Sequence, residues 1–274
     1  MRNRVLVAVV GVPFLLWVLG YAPVIATAVL VVGMCAIGAW ELMHAVTDYL
    51  HKPLAFVVAF VAGYLPVWIY TFNSGSYLWI AAGAFGFVLF LFIYAIAHYE
   101  KETPVPFGTV SAAVFAGVVF PLMLSCLLRL RMLSGGNVWV FIPLAIAFGS
   151  DTFALFAGML FGRHKLAPHV SPKKTREGAV GGVVGGIFGM MLISLAGSYF
   201  NGEYLDLLTI VSIGAVGSLI SQLGDLSFSV VKREFGVKDY GHLLPGHGGI
   251  LDRFDSVSFV APAVWLMMTL GGGF

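Results

Sequence analysis

Long apolar runs dominate this chain, and short polar stretches separate them. Nine runs approach the roughly 20 mostly apolar residues that a membrane-spanning helix needs. The first break is the weakest, because only Gly20, Tyr21 and Pro23 mark it, and without it eight spans would remain. The pattern predicts an all-α, polytopic integral membrane protein with about nine transmembrane helices, at residues 5–20, 22–46, 53–72, 77–99, 107–130, 137–162, 178–200, 207–232 and 249–270.

Composition supports this fold class. Of the 274 residues, 59% are hydrophobic and 10% are charged, and the mean hydropathy is +0.96. Soluble domains carry about 25% charged residues, so this balance indicates a lipid environment. The net charge of +2 gives no reason to expect nucleic-acid binding. Cys35 and Cys126 lie inside apolar runs without metal-type spacing, which favours small buried hydrophobic residues.

The distribution of Lys and Arg predicts a cytoplasmic N-terminus. In that orientation twelve Lys and Arg residues fall in inside segments, whereas the outside loops hold only Arg129 and Arg131; Arg253 lies in the last predicted span and is not counted. Residues 163–177 then form a cytoplasmic loop. Charge also divides the chain into an N-terminal transmembrane scaffold at 1–136, with room for dimer contacts, and a C-terminal transmembrane region at 137–274. The second region holds most of the charge and is the candidate for a catalytic region.

Small residues line one predicted helix. Gly181, Gly185 and Gly189 recur every four residues, and Gly182 and Gly186 stand beside them. This spacing predicts close packing against another helix. It also permits a homodimer without requiring one.

Five acidic residues fall within or at the edge of the predicted spans: Glu41, Asp151, Asp225, Asp252 and Asp255. Each would cost about 2.5–3.5 kcal/mol at the membrane centre if unpaired. Asp252 and Asp255 are three residues apart, so they share a helix face. Converging carboxylates cannot all stay ionised without a cation, and hard oxygen ligands suit Mg²⁺. The alternative is a buried ion pair between Asp252 and Arg253 or Lys232.

Two further segments are suited to binding phosphate. Residues 244–249 form a Gly-rich turn before the last span, where backbone amides favour anions; a plain loop is the alternative. His247 could orient a phosphate or ligate a metal. The loop at 163–177 holds a compact basic group at 171–175, although anchoring by positive charge on the inside also explains some of its cations. Carboxylates, basic side chains and free amides together predict a phosphoryl-transfer site.

Longer motifs resemble those of the phosphatidate cytidylyltransferases (CDP-diacylglycerol synthases). The signature-like run comprises Ser229-Val230-Val231-Lys232-Arg233, Lys238-Asp239 and Pro245-Gly246-His247-Gly248-Gly249-Ile250-Leu251-Asp252-Arg253-Phe254-Asp255. Three more pieces agree with this family: Ser150-Asp151-Thr152, Ser171-Pro172-Lys173-Lys174-Thr175 with Glu177-Gly178, and Gln222-Leu223-Gly224-Asp225-Leu226. The first 130 residues resemble the family only in hydropathy.

The resemblance implies an all-helical enzyme that makes CDP-diacylglycerol and pyrophosphate from CTP and phosphatidic acid, for phospholipid biosynthesis. It implies Mg²⁺, with room for a second cation, held by Asp225, Asp252 and Asp255, and Asp151 is a further candidate. Lys232 and Arg253 complete the predicted catalytic set. The predicted substrate-binding residues are Ser171, Lys173, Lys174, Thr175, Arg233, Lys238, His247, Gly248 and Gly249. The expected location is a bacterial cytoplasmic membrane, with the active site facing the cytoplasm.

Other functions remain open at this point. A polyprenol kinase or an ether-lipid cytidylyltransferase would also combine CTP with a membrane lipid. An ion-coupled transporter would use intramembrane acids to carry protons or Na⁺, although the compact basic and Gly-rich motifs fit it less well.

Overall fold

The computed structural model describes residues 2–47 (side chains from residue 9), 52–72, 77–101, 104–243 and 248–270. Its first half contains α1 (Arg2–Gly20), α2 (Val24–Val46), α3 (Lys52–Phe72), α4 (Tyr77–His98), α5 (Phe107–Val114), a π-helical turn (Phe115–Val119), α6 (Phe120–Leu124) and α7 (Cys126–Arg131). Its second half contains α8 (Gly136–Trp139), α9 (Ile142–Phe161), β1 (Lys165–Ala167), β2 (Ser171–Thr175), α10 (Arg176–Asn201), α11 (Leu207–Glu234) and α12 (Leu251–Leu270).

The described helices confirm an all-α, polytopic membrane protein. Among the described residues, seven segments are long and apolar enough to cross a bilayer: 24–46, 52–72, 77–98, 107–131, 136–161, 176–201 and 207–234. The weakest predicted break is present, since α1 and α2 are separate helices. Helix α12 is not among these segments, and three charged residues occupy its first two turns. The total of nine spans and the cytoplasmic N-terminus stay predictions.

The chain forms two compact units, each assembled from three stretches. The first unit comprises residues 1–12, 25–125 and 237–253, and the second comprises 13–24, 126–236 and 254–274. The division at residue 136, drawn from charge alone, stays a prediction.

In the second unit, the glycines of α10 allow α9 and α11 to approach closely. A Cβ on Gly185 would lie 2.6 Å from the Cβ of Phe153 in α9. One on Gly186 would lie 2.6 Å from the Cβ of Ser218 in α11. The predicted close packing is therefore confirmed within one chain. Beside these contacts lies an apolar core formed by Leu130, Val138, Trp139, Ile142, Ile146, Met190, Ile213, Val260, Val264 and Met268.

A short antiparallel hairpin occupies the segment predicted as a cytoplasmic loop. Lys165 pairs with Thr175, and Ala167 pairs with Ser171. Thr175 then ends the strand and caps α10, because its Oγ1 accepts a hydrogen bond from the Gly178 N–H at 3.1 Å. The hairpin is therefore continuous with the start of a membrane helix.

Candidate active site

An ion pair joins the hairpin to α11 in the second unit. The Nζ of Lys174 contacts the Oδ2 of Asp225, and each side chain is only about a quarter exposed. Both residues were predicted to lie in the site, one as a substrate ligand and the other as a metal ligand. The structure brings them into direct contact across 51 positions of sequence.

More charges surround Lys174. Burial lowers the pKa of its ammonium group from the ordinary value, whereas the nearby carboxylates of Asp151 and Asp255 oppose that shift and Lys232 adds to it. Three of the predicted acids thus share one neighbourhood with two of the predicted cations. Asp151 lies on an exposed part of α9, while Asp255 is only 8% exposed.

The backbone of α12 holds Asp255 in place. The Ser256 N–H donates to its Oδ1 at 2.7 Å, and the Ser258 hydroxyl donates to its backbone oxygen at 2.7 Å. The Ser256 contact orients the carboxylate.

The two lysines of the basic segment lie on opposite faces of β2, because successive strand residues alternate. Lys174 turns toward Asp225, whereas Lys173 is exposed on the face that it shares with Ser171 and Thr175. Sequence reasoning treated Lys173 and Lys174 as one phosphate-binding group. In the structure they occupy different surroundings.

The ends of neighbouring helices anchor the hairpin. The Nε of Arg233, at the end of α11, donates to the Val170 carbonyl at 3.3 Å. Glu177, in the first turn of α10, accepts hydrogen bonds from the Arg163 N–H at 3.1 Å and from the His164 ring at 2.7 Å. Sequence reasoning gave Glu177 no role of its own. An acid in the first turn of a helix was the available signal.

A buried polar network joins helices α9, α10 and α11. The hydroxyls of Ser150 and Ser218 are 2.8 Å apart, and both residues are fully buried. The Nε2 of Gln222 donates to the Ala179 carbonyl at 3.1 Å and to the Ser218 hydroxyl at 3.3 Å. Ser150 precedes Asp151 directly, so this network holds the backbone beside a site carboxylate. Sequence reasoning assigned these residues no structural role.

Two acids organise the segment before α12 in the first unit. The Oδ2 of Asp252 accepts hydrogen bonds from the N–H groups of Tyr240 at 2.9 Å and Gly249 at 3.0 Å. Glu41, which is 5% exposed, accepts from the N–H groups of Ile250 and Leu251. Within the predicted anion-binding segment, the Gly249 amide therefore binds a carboxylate of the chain itself.

The other predicted residues of this segment are placed as follows. Lys238 and Arg253 are exposed, Gly248 is half-buried, and Gly249 is buried. His247 lies outside the described residues, together with Leu244, Pro245 and Gly246.

The predicted metal ligands are chemically suited to Mg²⁺. Within the described residues of each unit, no three His, Cys, Asp or Glu side chains form a ready metal-binding group. Mg²⁺ commonly takes only one or two carboxylates and completes its shell with waters and substrate phosphates. The carboxylates of Asp225 and Asp255 therefore fit this ion, and its binding stays a prediction.

The fold and this site define a polytopic helical membrane protein with carboxylates and lysines gathered beside a basic hairpin. Residues 2–270 match the cytidylyltransferase family. The chain belongs to this family.

Curated relatives carry the name phosphatidate cytidylyltransferase. The protein from Rickettsia prowazekii is 32% identical over 178 residues, which cover 64% of this chain and 78% of that protein. The one from Mycobacterium bovis is 34% identical over 222 residues, covering 77% of this chain and 70% of the relative. The one from Staphylococcus aureus (strain COL) is 42% identical over 135 residues, about half of each chain.

Proposed function

We propose that this protein transfers the CMP moiety of CTP to phosphatidic acid, giving CDP-diacylglycerol and pyrophosphate. The observation that carries the proposal is Lys174, held on Asp225 among further carboxylates in the second unit of a cytidylyltransferase-family chain. Such a site suits substrates with many negative charges. It supplies the ammonium group of Lys174 as one cation, and it supplies carboxylates that can bind a metal ion as a second.

The reaction needs little from the enzyme beyond binding and charge stabilisation. A phosphate oxygen of phosphatidic acid attacks the α-phosphorus of CTP, and the bond to the β-phosphate oxygen breaks as pyrophosphate leaves. The second pKa of a phosphomonoester is near 6, so this nucleophile is largely ionised at neutral pH without a general base. No covalent enzyme intermediate is required.

We propose that Asp225 and Asp255 hold Mg²⁺, with Asp151 as a further candidate. The assignment of Asp252 as a ligand, and of Arg253 as a catalytic residue, rests on the family resemblance, and a second cation stays a prediction. When bound, Mg²⁺ offsets the charge of the nucleotide phosphates.

Lys174 and Lys232 are the proposed partners of the phosphates. Lys174 would move from Asp225 to a phosphate oxygen as the nucleotide binds. Lys is a suitable point-charge partner for polyphosphate. On the other strand face, Ser171, Lys173 and Thr175 would contact a different part of the bound substrates, while Arg233 keeps the hairpin turn in place.

We propose a cytoplasmic membrane location in a bacterium, with the site facing the cytoplasm. The loop charges favour this orientation, and the relatives come from bacteria. CTP would then reach the site from the cytoplasm and phosphatidic acid from the bilayer.

An assay with labelled CTP tests the proposal. Purified full-length protein, phosphatidic acid and Mg²⁺ should yield labelled CDP-lipid and equimolar pyrophosphate. Asp225→Asn should sharply lower this turnover and leave a small residual rate. Asp206→Asn is the matched control, because Asp206 is an exposed acid at the start of α11 and Asn also caps helices well.

Other outcomes would overturn the proposal. Free CDP together with a phosphorylated alcohol would indicate a kinase. Solute movement in vesicles without CTP consumption would indicate a transporter.

A further inference from the structure

Glu41 closes the N-terminal end of α12, although more than 200 residues separate the two in sequence. Its Oε1 accepts a hydrogen bond from the Ile250 N–H at 3.1 Å, and its Oε2 accepts one from the Leu251 N–H at 2.9 Å. The first N–H groups of a helix have no acceptor inside the helix. A carboxylate placed there satisfies two of them and interacts favourably with the helix dipole.

The surrounding backbone fits closely around this carboxyl group. A Cβ added to Gly241 or to Gly249 would overlap with the Glu41 side chain. The Leu251 side chain lies against α2 as well, because its Cδ1 is 3.7 Å from the Cβ position of Gly38. Helix α2 therefore holds the start of α12 through both polar and apolar contacts.

Asp252 depends on the same segment. Its Oδ2 accepts from the N–H of Gly249, the residue directly before the two amides that Glu41 binds, and also from the N–H of Tyr240. Gly248 has φ +87°, a backbone conformation that residues with a side chain rarely adopt. A Cβ added at Gly248 would lie 3.0 Å from the Asp252 Oδ2. The path of residues 248–251 therefore sets the orientation of the Asp252 carboxylate.

We infer that Glu41 is a positioning residue for the nucleotidyl transfer: it holds residues 249–251 so that the Asp252 carboxylate keeps its working orientation. The inference rests on the proposed function and on the family resemblance, which implies that Asp252 is a ligand for Mg²⁺. It gives the N-terminal half of the chain a part in catalysis. Residues that orient metal ligands typically contribute 10–100-fold to activity or metal affinity.

Glu41→Gln is the sharpest variant, because it keeps the size of the side chain but turns one acceptor oxygen into an NH₂ donor that faces an N–H group. We expect kcat to fall about 10–100-fold, and the Mg²⁺ concentration for half-maximal rate to rise, with a smaller change in the KM for CTP. Glu234→Gln is the matched control, since Glu234 is exposed at the end of α11. Its kinetics should equal those of the unaltered protein.

Hydrogen exchange of the peptide covering 248–253 supplies a readout that is independent of turnover. Exchange should be faster in Glu41→Gln than in the control. If that variant does not fold, Gly249→Ala keeps Glu41 and presses a methyl group against its carboxyl, and it should give the same two effects.

The outcomes separate the two claims. An inactive unaltered protein would overturn the proposed function, whatever the exchange data show. An active protein in which Glu41→Gln keeps normal kcat and Mg²⁺ dependence would overturn the positioning role alone. Unchanged hydrogen exchange would also overturn it, because Glu41 would then not be holding the segment.

Discussion

At the scale of single residues, the site depends on which charges are close enough to compensate each other. Lys174 has Asp225 in direct contact and two more carboxylates nearby. Lys173, its neighbour in sequence, is exposed on the opposite strand face. The two lysines should therefore differ in function, even though their sequence context is the same.

Lys174→Met should lower the rate of pyrophosphate release about 10²–10³-fold, the usual loss when one preorganised electrostatic contact is removed. Combining it with Asp225→Asn should cost less than the sum of the two single effects, because residues in contact are coupled. Lys165→Met, which alters an exposed lysine in β1, is the control and should leave the rate unchanged. Additive effects in this double-mutant cycle would contradict the coupling.

Asp206 predicts a pH effect on stability. The N–H and hydroxyl of Thr209 stabilise its charged form and lower its pKa below the ordinary value for Asp. Its contribution is thus present above the pKa of the unfolded chain and is lost as pH falls through the lower, folded-state pKa. Thermal unfolding should show Asp206→Ala to be destabilised at neutral pH, with the difference shrinking in acid. A difference that does not vary with pH would exclude this origin.

At the scale of elements, helices α9 and α10 of the second unit pack closely because glycines, which have no side chain, lie where they meet. Gly149 of α9 and Gly185 of α10 lie so close together that a Cβ on either would meet the backbone of the other. The same glycines that permit a homodimer by sequence are used here inside one chain. The predicted homodimer stays a prediction, and this part of α10 gives it no support.

Gly185→Val should destabilise the protein by about 1–3 kcal/mol or more through overpacking. The control is Gly83→Ala in α4, where nothing lies within 4 Å of the added Cβ. That change should be neutral or should stabilise α4 by up to about 1 kcal/mol through helix propensity. Thermal unfolding in one detergent measures both variants. Equal stability of the two would contradict the packing seen between α9 and α10.

At the scale of the whole molecule, the charge bias between loops predicts orientation. The two cations assigned to the outside have contacts of their own: Arg131 donates to the Ala22 carbonyl at 3.0 Å, and Arg129 lies 5.0 Å from the centre of the Trp265 ring. The remaining Lys and Arg outside the spans are predicted to face the cytoplasm.

Single cysteines can test this orientation. Lys165→Cys should react with a membrane-impermeant thiol reagent only after the cytoplasmic side is exposed, whereas Tyr204→Cys should react in intact cells. The native Cys35 and Cys126 are buried and should add little background. The reverse pattern of labelling would invert the proposed topology and move the hairpin to the outside.

The sequence by itself determined the fold class, the approximate helix bounds and the family. Hydropathy suffices for helices because each span in lipid must satisfy its own backbone hydrogen bonds, which is a local requirement. The acids were conspicuous by their cost, and motifs rather than spacing identified CTP and phosphatidate. Only the tertiary structure decided that Lys174 pairs with Asp225, that Lys173 turns away, and that Glu41 caps α12. The Lys174 and Glu41 contacts join residues that are distant in sequence, and the direction of Lys173 depends on strand pairing. A local sequence pattern encodes neither of these.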